Sequence, residues 1–153
     1  MKRMLIGIVV SIAGAATIGM QAAVGSAAPT HLAAAEVSAA FAKGRPLLEM
    51  DAYKIHASRR EAPGTAEVHV RDTDVIYVLE GSATIVTGGT VVSPHTVADD
   101  ELRGPQIDGG QTRALGKGDV FVVPNGVPHW FKTVDAPLLY YVVKVTAPAG
   151  GTR

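Results

Sequence analysis

One stretch constrains this chain more than any other: Gly118-Asp119-Val120-Phe121-Val122-Val123-Pro124-Asn125-Gly126-Val127-Pro128-His129. Gly118 and Gly126 permit backbone conformations closed to other residues, and Pro124 fixes φ at the end of an apolar run, so the strand stops there. Val120 to Val123 therefore reads as a short strand, Pro124-Asn125-Gly126 as a turn, and Val127 onward as a returning strand. His129 lies just after this rigid reversal, and a metal or substrate ligand on a stiff element keeps its geometry better than one on a loop.

The same texture extends over most of the chain. From Pro46 onward, short β-branched and aromatic runs alternate with Gly, Pro, Asp and Asn, which is the pattern of an all-β domain. Strands are expected near 48–58, 66–70, 74–79, 82–87, 112–115, 119–123, 128–133 and 138–146. That spacing suits a sandwich or a jelly-roll barrel. Ahead of it, residues 29–43 are rich in alanine and fit a short helix ending near Gly44, or a loose arm. The long insertion from Thr87 to Gln111 contains two Gly-Gly pairs, Pro94-His95 and the acidic run Asp99-Asp100-Glu101. A loop of this length reads either as a lid over a site or as a solvated excursion with its acids facing water.

The first residues read differently. Lys2 and Arg3 precede an uncharged apolar stretch from Met4 to Met20, then the small residues Gly25-Ser26-Ala27-Ala28. That is the layout of a secretory signal peptide, with cleavage after Ala27 or Ala28 and export to the periplasm or beyond; a retained membrane anchor is the alternative. The division expected is 1–27 signal peptide, 28–45 arm or helix and 46–148 a single β-domain. The first 27 residues hold two of the 14 basic residues and none of the 14 acidic ones, leaving 12 against 14. Nucleic acid and an anionic membrane surface are therefore not expected partners. With no cysteine in the chain, disulfides and thiolate ligands are excluded.

Glu67 and His69, two apart on a strand, leave the same face, and Ala66, Val68 and Val70 leave the other. In an ordinary sandwich the polar pair faces solvent and the apolar set faces the core. In a barrel enclosing a polar site the arrangement is inverted, and the apolar set needs a second layer to cover it.

The Gly118–His129 stretch resembles the second motif of the cupin family: Gly, five residues, Pro, one residue, Gly, two residues, His, matched by Gly118, Pro124, Gly126 and His129. Thr133 stands where that family places an Asn. The family's first motif (His, one residue, His, three or four residues, Glu, six residues, Gly) is matched in spacing by Glu67, His69, Asp74 and Gly81. Glu67 replaces the first His and Asp74 replaces the Glu. The resemblance implies a cupin-type jelly-roll barrel with a divalent metal ion on Glu67, His69, Asp74 and His129, and a homodimer paired through its sheets. Two imidazoles with one carboxylate are a facial ligand set suited to Fe, Mn, Ni or Zn. With both acids ligating, the set matches the usual four-ligand cupin arrangement with two acids in place of one.

Among the other histidines, His56 reads as a hydrogen-bonded wall residue, His95 as a solvated loop residue and His31 as exposed near the new terminus. Trp130 should leave the face opposite His129. In Leu138 to Val145, Lys144 marks the face expected to meet water, which puts Tyr141 inside and Tyr140 outside. Two functions fit: an exported metal-dependent cupin enzyme, dioxygenase-like or isomerase-like, acting on a small organic molecule, or a cupin domain that binds or senses a small ligand without turnover.

Overall fold

A computed structural model describes residues 28–149 of the chain; the segment read as a signal peptide lies outside the described residues. The chain runs through a helix α1 (Ala34–Phe41) and then strands β1 (Arg45–Glu49), β2 (Tyr53–Arg60), β3 (Ala66–His69), β4 (Asp72–Thr87), β5 (Thr90–Val91), β6 (His95–Ala98), β7 (Glu101–Gly104), β8 (Ile107–Asp108), β9 (Gln111–Gly116), β10 (Val120–Val123) and β11 (His129–Thr146). The architecture is all-β and antiparallel, a curled sheet of the jelly-roll kind with one short helix, as the sequence texture implies. Among the described residues, no helix is long and apolar enough to cross a membrane.

The spine is the antiparallel pair β4 and β11, which stay paired from Asp72↔Thr146 to Thr87↔His129 with register shifts near the middle. β4 carries β10 and β9 on its other edge, and β11 carries β2 and β3 on its own. The sequence divides each spine strand into two segments, 74–79 with 82–87 and 128–133 with 138–146, whereas the structure joins each pair into one bent strand. The bend explains the division. Gly81 sits at φ +79°, and a Cβ there would lie 2.5 Å from the Pro137 carbonyl oxygen, so only glycine fits where the two strands turn together. Register slips between Asp135 and Leu139 at the same level. Buried residues alternate as Asp74, Ile76 and Val78 before the bend and as Ala83 and Ile85 after it.

The converse difference occurs at 48–58, read as one strand. The structure breaks it into the hairpin β1–β2, with Met50 N–H donating to Tyr53 O at 2.9 Å across the turn. α1 packs against β1 and β2 and sets Phe41 edge-on to Tyr141, ring centroids 4.9 Å apart.

Two apolar clusters form. One fills the barrel with Ile76, Val78, Ala83, Ile85, Leu115, Phe131, Leu138, Tyr140 and Val142. Of these, Ile76, Ile85, Leu138 and Val78 are fully buried, each contributing roughly 1.5–3 kcal/mol by removal from water. The other joins Ala66, Val68 and Val86 to Val91 and Ile107, with Leu102 and Trp130 packed against it. Its lower half comes from the Thr87–Gln111 insertion, which is not a free lid: Val91, Gly104 and Ile107 are buried, while its tip at 93–100, with Asp99 and Asp100, faces water. β5 pairs β8, and β7 pairs β3 and β6. The insertion thereby supplies the second layer that the apolar face of β3 requires.

Candidate functional site

The turn that constrains the sequence also closes the site. Val127 N–H donates to Pro124 O at 3.1 Å and Gly126 has φ +77°, the geometry of a type II reversal. Gly126 N–H then donates to His69 O at 2.8 Å. Asn125 donates from its backbone N–H to Thr73 Oγ1 and from Nδ2 to Val70 O, both at 3.2 Å. The second motif is thus fastened to the 69–73 corner of the first, and the rings of His69 and His129 come to 5.1 Å between centroids.

β3 lies between β11 and β7, so Glu67 faces His129 on one side and Arg103 on the other. Glu67 and His69 point inward, as a barrel with a polar interior requires. Their donor atoms and that of His129 all lie within 4.8 Å of one another. Glu67 Oε2 is 3.6 Å from His69 Nε2 and 4.0 Å from His129 Nε2. Asp74 Oδ2 is 3.5 Å and 3.9 Å from the same two nitrogens. All four residues singled out by the two motifs therefore line one cavity of about 280 Å³.

The protonation states are set by surroundings. Burial pushes the His129 imidazole down, toward its neutral form. Its Nδ1 lies 3.3 Å from the Val127 carbonyl, an acceptor only, so the ring proton belongs on Nδ1 and the Nε2 lone pair faces the cavity. His69 Nε2 is buried with no hydrogen-bond partner among the described residues. A buried, unbonded imidazole nitrogen facing two carboxylate oxygens and a second imidazole lone pair is a donor set that fits a divalent cation.

The two acids differ. Burial alone would raise the Asp74 carboxyl, but the His69 imidazole and the Lys144 ammonium outweigh it and hold its pKa at about 2. Lys144 Nζ donates to Oδ1 at 2.8 Å and to Oδ2 at 3.0 Å. Among the described residues Glu67 has no such bond: Arg60 Nη2 and Arg103 Nη2 stand 3.6 Å and 4.0 Å from its Oε1. Glu67 is the free carboxylate of the pocket and Asp74 the engaged one.

Lys144 corrects the face assignment made from sequence. It points inward to Asp74, and with it Leu138, Tyr140 and Val142 face the interior; Tyr140 is buried and Tyr141 lies on the outer side under Phe41. A lysine in an apolar strand marks water only where the other face is apolar, and here that face holds a carboxylate. His56 is a wall residue, its Nε2 3.4 Å from Glu49 Oε1 without hydrogen-bond geometry. Trp130 leaves the face opposite His129 and donates to Gly64 O at 2.7 Å. Sequence reasoning also passed over Arg60 and Arg103 and placed Glu101 only in an acidic run of the insertion; all three line the cavity. Their signal was weak, since each stands at a strand end or in the insertion, where charge usually means solvent.

The family model described as Cupin matches residues 29–151. Among solved structures, a protein from Bacillus halodurans superposes with a TM-score of 0.52 at 16% identity, over 78% of this chain and 81% of its own. KdgF from Halomonas sp. gives 0.49 at 18% identity, over 68% of this chain and 79% of its own. Hydroquinone 1,2-dioxygenase from Sphingomonas sp., with 4-hydroxybenzoate bound, gives 0.49 at 14%, over 65% and 63%. No curated protein matches the sequence.

The Asp74–Lys144 pair generates a pH dependence. A carboxyl held below its ordinary 3.8 at about 2 adds stability that is present above about pH 4 and lost as pH falls toward 2. In protein treated with EDTA, that loss is on the order of 2 kcal/mol. Urea unfolding of wild type and Asp74→Asn at pH 5, 4, 3 and 2 measures it. The difference between the two should shrink steadily over that window, and a constant difference contradicts the assignment.

Proposed function

We propose that this chain, which belongs to the cupin family, is a metal-dependent enzyme acting on a small organic molecule by dioxygenase-like or isomerase-like chemistry. The observation that carries the reading is the cluster of Glu67, His69 and His129, with an unbonded Nε2 on the buried His69. These three residues would hold the ion. Bound there by two imidazoles and one carboxylate, such an ion would leave room for a substrate oxygen or dioxygen and would supply Lewis-acid polarisation.

The chain's own residues prepare that site. The Val127 carbonyl fixes the His129 tautomer. The engaged Asp74 keeps a negative charge beside the cavity-facing nitrogens, its Oδ2 3.5 Å from His69 Nε2 and 3.9 Å from His129 Nε2. In this reading Glu67 ligates, and Asp74, tied to Lys144, adds a negative charge next to the ion's place. Ile76, Phe131 and Val142 give the cavity an apolar wall for a carbon skeleton and limit access of water.

Metal analysis of untagged protein, reconstituted with Fe(II), Mn(II), Ni(II) or Zn(II) and dialysed, tests the ligand set. Wild type and His56→Ala should retain about one equivalent, His129→Ala should lose nearly all of it, and Asp74→Asn should bind roughly 10- to 100-fold more weakly. Equal loss in His56→Ala and His129→Ala would show that the wrong cluster has been chosen. Oxygen uptake and product analysis with phenolic, thiol and keto-acid compounds follow. Ligand binding by the loaded protein without turnover of any of them would make it a binding domain instead.

The outer face of the sheet supports a homodimer. Val120, Val122, Tyr77, Val145 and Tyr53 are all exposed on the side of β10, β4, β11 and β2 that faces away from the cavity. A continuous apolar sheet face of this kind is costly to leave in water. Sedimentation should give a dimer for wild type and a monomer for Val122→Lys; a wild-type monomer contradicts the pairing.

A further inference from the structure

We infer that the ligand of this pocket is a small organic carboxylate whose carboxylate group is received by the guanidinium of Arg60. The inference deepens the metal reading, on which its charge argument rests, and it has a second support that does not.

Glu67, Asp74 and Glu101 are balanced by Arg60, Arg103 and Lys144, and the remaining titratable groups are the three histidines and Tyr140. Burial pushes the Tyr140 phenol up, so it stays neutral. The lining is therefore close to electroneutral by itself, and a divalent ion would add two positive charges to it. The charged groups near the floor are shielded from water: side-chain exposure is 6% for Asp74, 14% for Glu67 and Lys144 and 22% for Arg60. An uncompensated charge is expensive in such a place. An anionic ligand removes the excess and a neutral one does not.

The independent support is the posture of Arg60. Its Nε donates to Tyr140 Oη at 2.9 Å, and its guanidinium carbon lies 4.5 Å from the centre of the Phe131 ring. These two contacts fix the plane of the fork. Among the described residues its terminal nitrogens make no hydrogen bond, the nearest carboxylate oxygen being Glu67 Oε1 at 3.6 Å from Nη2. An arginine whose purpose was to neutralise Glu67 would close on it at hydrogen-bond distance, usually with both arms. Here the fork is held in place with its ends unspent, in a cavity wall beside the proposed metal ligands. A preorganised planar fork matches a carboxylate better than a point charge does.

Exposure also orders the route. Arg103, at 43%, is the most exposed of the lining charges and is tied to Glu101 at 2.7 Å. An entering anion meets Arg103 first, then Arg60, then the floor where Glu67, His69 and His129 meet. The cavity of about 280 Å³ admits only a small molecule.

Isothermal titration with two isosteric pairs, benzoate with benzamide and pyruvate with pyruvamide, tests the inference. Inorganic phosphate is the third kind of probe, and protein is used both loaded with Mn(II) and treated with EDTA. In the loaded protein at least one carboxylate should bind about tenfold or more tightly than its amide. Arg60→Gln should erase that preference while metal content, measured on the same sample, stays at the wild-type level. Arg60→Lys, which keeps the charge and loses the fork, should recover only part of it. The inference is overturned if the amides bind as well as the acids or if phosphate binds most tightly. It is also overturned if no carboxylate binds up to about 10 mM, or if the preference survives in a folded, metal-loaded Arg60→Gln. Loss of the metal reading gives a different result: no ion is retained, yet a carboxylate preference dependent on Arg60 persists in both samples. Metal retained without the preference removes this inference and leaves the metal reading standing.

Discussion

The pairing of β4 with β11 is the constraint on which the pocket depends. Its register sets Asp74 opposite Lys144, and the strand that carries Lys144 near its end begins at His129. A carboxylate and an ammonium enclosed in a barrel are tolerable only because each satisfies the other, at 2.8 Å. Once that pair is in place, the interior of this end of the barrel is committed to polar chemistry. β3 then brings Glu67 alongside His129, and the Pro124-Asn125-Gly126 turn locks the two hairpins together through His69 O and Val70 O.

Two opposed chemistries share one barrel and meet at Ile76, Phe131, Tyr140 and Val142. On the β4 segment before Gly81, Asp74 belongs to the polar pocket while Ile76 and Val78, on the same face, belong to the apolar filling. Lys144 and Tyr140 repeat that gradient on β11. Burial therefore acts differently at the two ends. At one it contributes stability by removing apolar area from water; at the other it tunes ionisation, keeping His129 neutral and Tyr140 protonated while Lys144 holds Asp74 ionised.

Much of this was legible in the residues. The glycines and proline of Gly118–His129 specify a strand and a reversal by local sterics alone, and the structure contains both. The spacing of Glu67, His69 and Asp74 survived two substitutions of type, because position on the pleat decides which side chains face inward and the chemistry of the residue does not. What was hidden is whatever depends on partners distant in sequence. Nothing near Lys144 announces that Asp74, 70 residues earlier, waits on the inner face, and so the even and odd faces of that strand were exchanged. The continuity of β4 across Gly81 was hidden because glycine ordinarily punctuates strands; here it bends one. The insertion looked like loop because its strands are only two to four residues long and hold together by covering Ala66 and Val68.

The central claim is that Glu67, His69 and His129 together hold one divalent ion. Anomalous diffraction at the zinc edge, from crystals of the protein loaded with Zn(II), tests it most directly. The account expects a single strong peak in the cavity, about 2.0–2.2 Å from Nε2 of both imidazoles and from a carboxylate oxygen of Glu67. A cavity without a peak, or an ion held by other residues, would contradict it.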